Sequence, residues 1–198
     1  MKKHNPKKSS KSKIPAAIRA ELDLLREQIN SLKENVRPFI LERDAILESR
    51  DRLLISCDAS WTDKAAAVAF IMRSITFKDP YKVSCPTRAN SSNVAELDAL
   101  YMALDNLSSM HLHTLKDKRV KYVEIRSDSQ LCINWITGKK NCHIESIRNK
   151  VLVIKDLVKG LEALSGKEIK FSWRKRNSTF DLIEANYLAQ TKINVKVH

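Results

Sequence analysis

Apolar residues near the start of the chain step by four and three: Ile18, Leu22, Leu25, Ile29, Leu32, Val36 and Phe39, with Glu and Arg on the flanks. That spacing keeps one helix face apolar and makes a heptad seam. Pro38 falls inside the run. A proline lacks the amide hydrogen and its ring clashes with the preceding turn, whereas the first turn of a new helix accepts it. Two helices are therefore predicted, roughly Ala16 to Asn35 and Pro38 to Arg52. The seam has three possible partners: a second copy of the chain, the second helix or the main domain. Packing within the chain is the default expectation.

Beyond these helices, strand and helix patterns alternate. Leu53 to Ser60 and Ala65 to Arg73 are aliphatic runs of strand length, and Thr76 to Ser84 is a third, interrupted by the Asp79-Pro80 turn. Ser91 to Leu107 carries Val94, Leu97, Leu100, Tyr101 and Leu104 on one broad helical face. Val120 to Arg126 predicts a strand, and Ser129 to Thr137 a short helix that stops at Gly138. Glu145 to Leu164 predicts a helix, Glu168 to Trp173 a strand and Phe180 to Thr191 a last helix. Three strands, a helix, a strand, helices, a strand and a helix make an α/β fold on a mixed sheet. The expected organisation is a basic arm over residues 1–13, a helical extension over 14–52 and one globular domain over 53–198.

Charge adds a partner class. The 198 residues hold 36 Lys+Arg against 23 Asp+Glu, a formal net charge of +13. Lys2, Lys3, Lys7, Lys8, Lys11 and Lys13 supply nearly half of it with no acid among them, so the arm is expected to be disordered and either solvating or phosphate-binding. A polyanion is the expected partner, and nucleic acid is favoured over membrane because no basic amphipathic helix stands out. No apolar run reaches the roughly 18 residues of a membrane helix, and the start of the chain lacks the apolar core of a signal peptide. Cys57, Cys85, Cys132 and Cys142 form no C-x-x-C pair. Reduced thiols and an intracellular protein, cytoplasmic or nuclear, are expected.

Several acids stand in places with a cost or a purpose. Asp58 lies in the apolar strand LLISCDAS, where a carboxylate is costly to desolvate without compensation. Asp128 follows the strand VKYVEIRSD at the turn into a helix, which suits a helix cap and also suits a ligand at the carboxyl end of a sheet. Glu96 and Asp98 lie two residues apart on one helix, so only one of them faces the sheet, and the apolar stripe leaves both open. Asp181 opens the last helix, where the helix dipole favours an acid, and Asn186 follows about a turn and a half later. His111, His113 and His143 lack the spacing of a metal site. Trp61, Trp135 and Trp173 fit packing at the core or sheet end, with Trp61 near enough to the first acid to touch a substrate.

Taken in order, DAS at Asp58, N-x-A-E-L-x-A-L from Asn93 to Leu100, SDSQ around Asp128 and EANYLA from Glu184 to Ala189 resemble ribonuclease H of type 1. The resemblance covers about Leu53 to Gln190 and leaves the N-terminal helices aside. It implies a five-stranded mixed sheet, three antiparallel strands followed by two parallel ones, flanked by helices. The short interval between Ile136 and Glu145 implies a version without the inserted basic protrusion. By the same resemblance Asp58, Glu96 and Asp128 would hold two Mg²⁺ ions, with Mn²⁺ as a possible substitute, and the reaction would be hydrolysis of the RNA strand of an RNA/DNA hybrid. Asn93 and Gln130 match the amides that reach the minor groove of the hybrid.

Departures from the family pattern are specific. Asn186 stands where the last helix usually carries a fourth acid, and Asp181, about a turn and a half earlier, is the alternative ligand. Ala59 replaces a common Gly, and no histidine lies between Trp173 and Asp181; Arg174, Lys175 and Arg176 are the cations there. Two other functions stay open: a same-fold nuclease for DNA or structured RNA, and a non-catalytic binding or assembly module that uses residues 16–50 to dimerise or to join a partner such as a reverse transcriptase.

Overall fold

The computed structural model describes residues 16–194. The expected arm, with Lys7 and Lys8, lies outside them. The chain divides into two compact units, one ending at Phe39 and the other starting at Ile40.

The described part of the first unit is helical. Helix α1 runs Ala16–Glu48 without a break at Pro38, so the two predicted helices are one. Proline forfeits one hydrogen bond of the ladder, but no Gly or helix-stopping cap stands nearby, and good helix formers flank it on both sides. Glu34, whose carbonyl loses its donor, lies on an exposed stretch that water reaches. The unit boundary at Phe39 also differs from the expected boundary at residue 52, because the end of α1 joins the second unit. Ala45 is buried, and Glu48 pairs with Arg126 at 2.6 Å.

In the second unit, strands β1 (Arg52–Trp61), β2 (Ala66–Arg73), β3 (Tyr81–Thr87), β4 (Tyr122–Ser127) and β5 (Ile169–Trp173) form one sheet in the order β3-β2-β1-β4-β5. The first three are antiparallel, and β4 and β5 run parallel to β1. This is the mixed sheet expected. β3 starts later than the predicted Thr76, since the Phe77 amide turns back to the Ser74 carbonyl and Pro80 precedes the first paired residue. Pro86 is tolerated because β3 is an edge strand.

Alternation along β1 assigns the two faces. Leu53, Ile55 and Cys57 join the main core with Leu97, Leu100 and Leu104 of α2 (Ser92–Ser109) and with Val151, Ile154 and Leu161 of α5 (Glu145–Ser165). The intervening Leu54, Ser56 and Asp58 point to the other face. There α6 (Phe180–Asn194) packs on β1 and β2, and Ala185 and Ala189 of the helix and Ala67 and Ala69 of β2 are all buried. The short helix α3 (Leu112–Lys116) was not foreseen, and α4 (Gln130–Ile136) ends against Gly138, whose φ of 75° is easy only for glycine. Only residues 137–144 separate α4 from α5. All four cysteines are free, and no helix among the described residues is long and apolar enough to cross a membrane.

Candidate active site

The parallel register of β1 and β4 sets Ser56 beside Arg126, and the same register carried two residues further brings Asp58 beside Asp128. Asp58 sits on the central strand and is 2% exposed. Glu96 reaches the same place from the second turn of α2, which is capped by Ser91, whose hydroxyl accepts from the Val94 amide at 3.3 Å. Carboxylate oxygens of Asp58, Glu96 and Asp128 all lie within 4.8 Å of one another, the one such group of potential metal ligands among the described residues. The ambiguity between Glu96 and Asp98 is thereby resolved. Asp98 turns away, accepting from the Thr87 hydroxyl at 2.7 Å and pairing with Lys150.

Asp128 does not act as the helix cap that its position suggested. The Asp128 carbonyl accepts from the Gln130 amide at 3.1 Å and from the Trp173 indole at 3.0 Å, and the N-cap of α4 is Ser129, so the Asp128 carboxylate is not used in capping. Asn93 is likewise not the cap of α2, a position held by Ser91. It sits in the first turn of α2, and its carbonyl accepts from the Cys132 thiol of α4 at 3.6 Å. Gln130 is exposed at the start of α4, so the two amides stand on adjoining helix ends.

Crowding of the three acids changes the protonation of Asp58 and Glu96. Burial, reinforced by the charge of Asp128, pushes the Asp58 carboxyl up to about 7. Burial, with Asp58 and Asp128 beside it, drives Glu96 well above the ordinary carboxylate range. Glu96 Oε2 is buried and makes no hydrogen bond. A buried oxygen left unpaired is costly, and a site of converging hard oxygens with one unsatisfied fits a divalent cation of the Mg²⁺ class. The charge, donor type and mutual distance of these side chains all suit such an ion.

One cation already faces them. Arg176 Nε donates to Asp128 Oδ2 at 2.5 Å, a bond that raises the guanidinium's own affinity for its proton. A tight turn delivers it: the Ser178 amide donates to the Lys175 carbonyl at 3.0 Å, and Asn177 takes a φ of 59°, a conformation that Asn tolerates better than most residues. Lys175 is exposed, whereas Arg174 is spent on Glu124 at 3.0 Å.

Asn186 and Asp181 part company. Asn186 lines a cavity of about 210 Å³ with Glu96, Arg176, Trp61 and Gln190, and its side-chain oxygen accepts from Gln190 at 3.0 Å. Asp181 is 1% exposed and lies 2.8 Å from Arg73, which pairs with Leu54 at the far end of β1 from Asp58. Four residues of strand separate those levels, about 13 Å at the usual rise. Asp181 therefore does not join the acidic trio, because Arg73 holds it elsewhere. Among the tryptophans, Trp135 is buried and Trp173 is held by its bond to Asp128. No histidine belongs to a metal-type group among the described residues.

The sheet also buries an ion pair that the apolar pattern of β4 does not announce. Glu124 and Arg126 share the face of Asp58, both buried, with Arg126 donating at 2.9 Å. Burial opposes ionisation of Glu124, but bonds from Arg126, Ser172 and Arg52 hold its carboxyl down at about 2. The signal was the alternation V-E-I-R, two opposite charges at i and i+2 of an apolar strand, which a strand turns to one face.

Comparison with known proteins agrees with the geometry. The RNase H family model matches residues 50–190, and no curated protein sequence matches the chain. Among solved structures, LC11-RNase H1, isolated from compost by a metagenomic approach and seen in complex with an RNA/DNA hybrid, aligns with a TM-score of 0.61 and 19% identity over 74% of this chain and 100% of that one. RNase H1 of the halophilic archaeon Halobacterium salinarum aligns with a TM-score of 0.55 and 20% identity over 71% of this chain and 98% of its own. At such identities the likeness is one of fold. The family match spans most of the chain and takes in every member of the acidic trio, so this protein belongs to the RNase H family, with the type 1 fold.

Proposed function

We propose that the protein is a metal-dependent endonuclease that hydrolyses the RNA strand of RNA/DNA hybrids, leaving a 5′-phosphate and a 3′-hydroxyl. The observation that carries this reading is the convergence of Asp58, Glu96 and Asp128 with one Glu96 oxygen unpaired. A fold kept only for binding gains nothing from three acids that repel one another in a buried place.

Asp58, Glu96 and Asp128 would hold two Mg²⁺ or Mn²⁺ ions, with Asn186 adding a neutral amide oxygen. Such ions, when bound, supply a Lewis acid at the phosphoryl oxygen and lower the pKa of the attacking water. The chain's own groups do the rest. Asp58 and Glu96 give up their protons to become ligands, and Arg176 offers a permanent positive charge to the scissile phosphate from the turn where some members carry a histidine. Asn93 and Gln130, on adjoining helix ends, are placed to donate to base edges and to accept from 2′-hydroxyls. Lys175 and the lysines of the arm, Lys7 and Lys8 included, add phosphate affinity without sequence preference.

The test is cleavage of labelled RNA/DNA hybrid, dsRNA, dsDNA and ssRNA with Mg²⁺, Mn²⁺ or EDTA, with Asp128→Asn alongside. Metal-dependent cutting of the hybrid alone, lost in the folded variant, is the expected result. Binding without cutting of any substrate would overturn the enzymatic reading.

A further inference from the structure

The N-terminal helix carries an apolar face that the proposed chemistry does not use. Ile18, Leu22, Leu25, Ile29, Leu32, Val36 and Phe39 of α1 are between 41% and 71% exposed. A lone helix with a stripe of this kind lacks the tertiary packing that makes helices stable, and soluble chains seldom leave such a stripe bare.

The residue types along the stripe specify a partner. In heptad notation the a positions are Leu22, Ile29 and Val36, and the d positions are Ile18, Leu25, Leu32 and Phe39. Over the central heptads, β-branched Ile29 and Val36 at a alternate with Leu25 and Leu32 at d, a combination that favours two parallel strands, whereas Leu22, Ile18 and Phe39 toward the ends depart from it. The flanks give the same answer by charge. Positions e are Arg19, Arg26 and Lys33, all cationic, and positions g are Glu21, Gln28 and Asn35. In a parallel pair, g of one helix meets e of the next heptad on the other, which sets Glu21 against Arg26 and Gln28 against Lys33. An antiparallel pair would instead line the three cations against their own copies. Arg26 now bonds Asp23 on its own helix at 3.0 Å, an exposed contact of little strength that it can leave.

The limits of the seam fit as well. The next a position is Arg43, so the pattern ends at Phe39, the last residue of the first compact unit. Pro38 is at a c position, on the outer side of such a coil, where its missing hydrogen bond does not disturb the seam.

We infer that Ile18 to Phe39 form a parallel two-stranded coiled coil with a second copy of this chain. The assembly joins two catalytic units and two basic arms, which favours long hybrids over short ones by avidity. Only that last consequence rests on the proposed function; the dimer itself does not.

Sedimentation equilibrium of the full chain over a range of concentrations tests it. The expected result is a dimer of twice the 22.7 kDa chain mass, converted to monomer by Leu25→Glu with Leu32→Glu. Arg26→Glu alone should weaken the dimer about tenfold by facing Glu21 with a like charge, and adding Glu21→Arg should restore it. That pair of variants leaves the seam intact, so its outcome does not depend on whether the leucine variant folds. A monomer at every concentration, a trimer or tetramer, a dimer indifferent to the leucine changes, or a dimer tightened by Arg26→Glu would each overturn the proposal. None of these readings uses cleavage, so loss of the nuclease assignment would leave it standing.

Discussion

Asp58 shows how a single buried acid ties stability to pH. Its carboxyl has an ordinary value of 3.8 and is pushed up to about 7 in the folded chain. Between those values the folded protein keeps a proton that the unfolded chain has released, so without metal the fold loses stability as pH rises through this window, and above it the whole loss remains. Thermal unfolding in EDTA at pH 5 and pH 8 checks this. Asp58→Asn, which has nothing to ionise, should gain on the wild type at pH 8 by an amount on the order of a few kcal/mol and gain much less at pH 5. An equal gain at both would show that Asp58 is not strained by its charge. Asp181 makes the opposite case. Asp181→Asn strands Arg73 in a site where both side chains are buried, a loss of about 3–5 kcal/mol, while metal-induced stabilisation of the folded variant stays at the wild-type level. Asn186→Asp should lower the Mg²⁺ concentration for half-maximal stabilisation on the order of tenfold, since it adds a charged ligand beside Glu96. The acids of the trio were legible in the sequence because their motifs lie in order. The commitment of Asp181 to Arg73 was not, since it depends on a pairing across more than a hundred residues.

At the scale of elements, periodicity located most strands and helices to within a few residues, because each has one apolar face and a clear stop such as Gly138 or Gly166. The late start of β3 and the five-residue α3 are decided by local hydrogen bonds, which a hydrophobic pattern does not encode, whereas α1 runs through Pro38 because no stop signal accompanies the proline. The buried Glu124–Arg126 pair was missed for a related reason, since charge in a strand reads as exposure until a partner on the same face is noticed. Pro38 is also testable. With one ladder bond lost in the middle of a 33-residue helix, Pro38→Ala should raise helicity in far-UV circular dichroism and stabilise α1 by about 3 kcal/mol or less. No change in helicity would mean that the bond was not limiting.

For the whole molecule, fold and site became legible together because the carboxyl ends of the neighbouring strands β1 and β4 gather the motifs, whereas net charge gave only a partner class. Charge still makes a quantitative claim about binding. The six lysines between Lys2 and Lys13 have no acid among them, and the chain as a whole carries +13. Each phosphate that a cation neutralises releases counterions and steepens the fall of log Kobs with log salt by about 0.7–0.9. If half of the arm's lysines meet phosphates, the slope for a hybrid longer than the site should be shallower by about 2–3 when residues 1–13 are removed. The catalytic rate at saturating hybrid should be the same in both proteins, since Asp58, Glu96 and Asp128 lie far along the chain from the arm. Binding titrations of the asparagine variant of Asp128 with and without the arm, over a series of salt concentrations, measure the slope without cleavage. Parallel lines would assign the arm to solubility and leave phosphate attraction to cations of the folded unit such as Lys175 and Arg176.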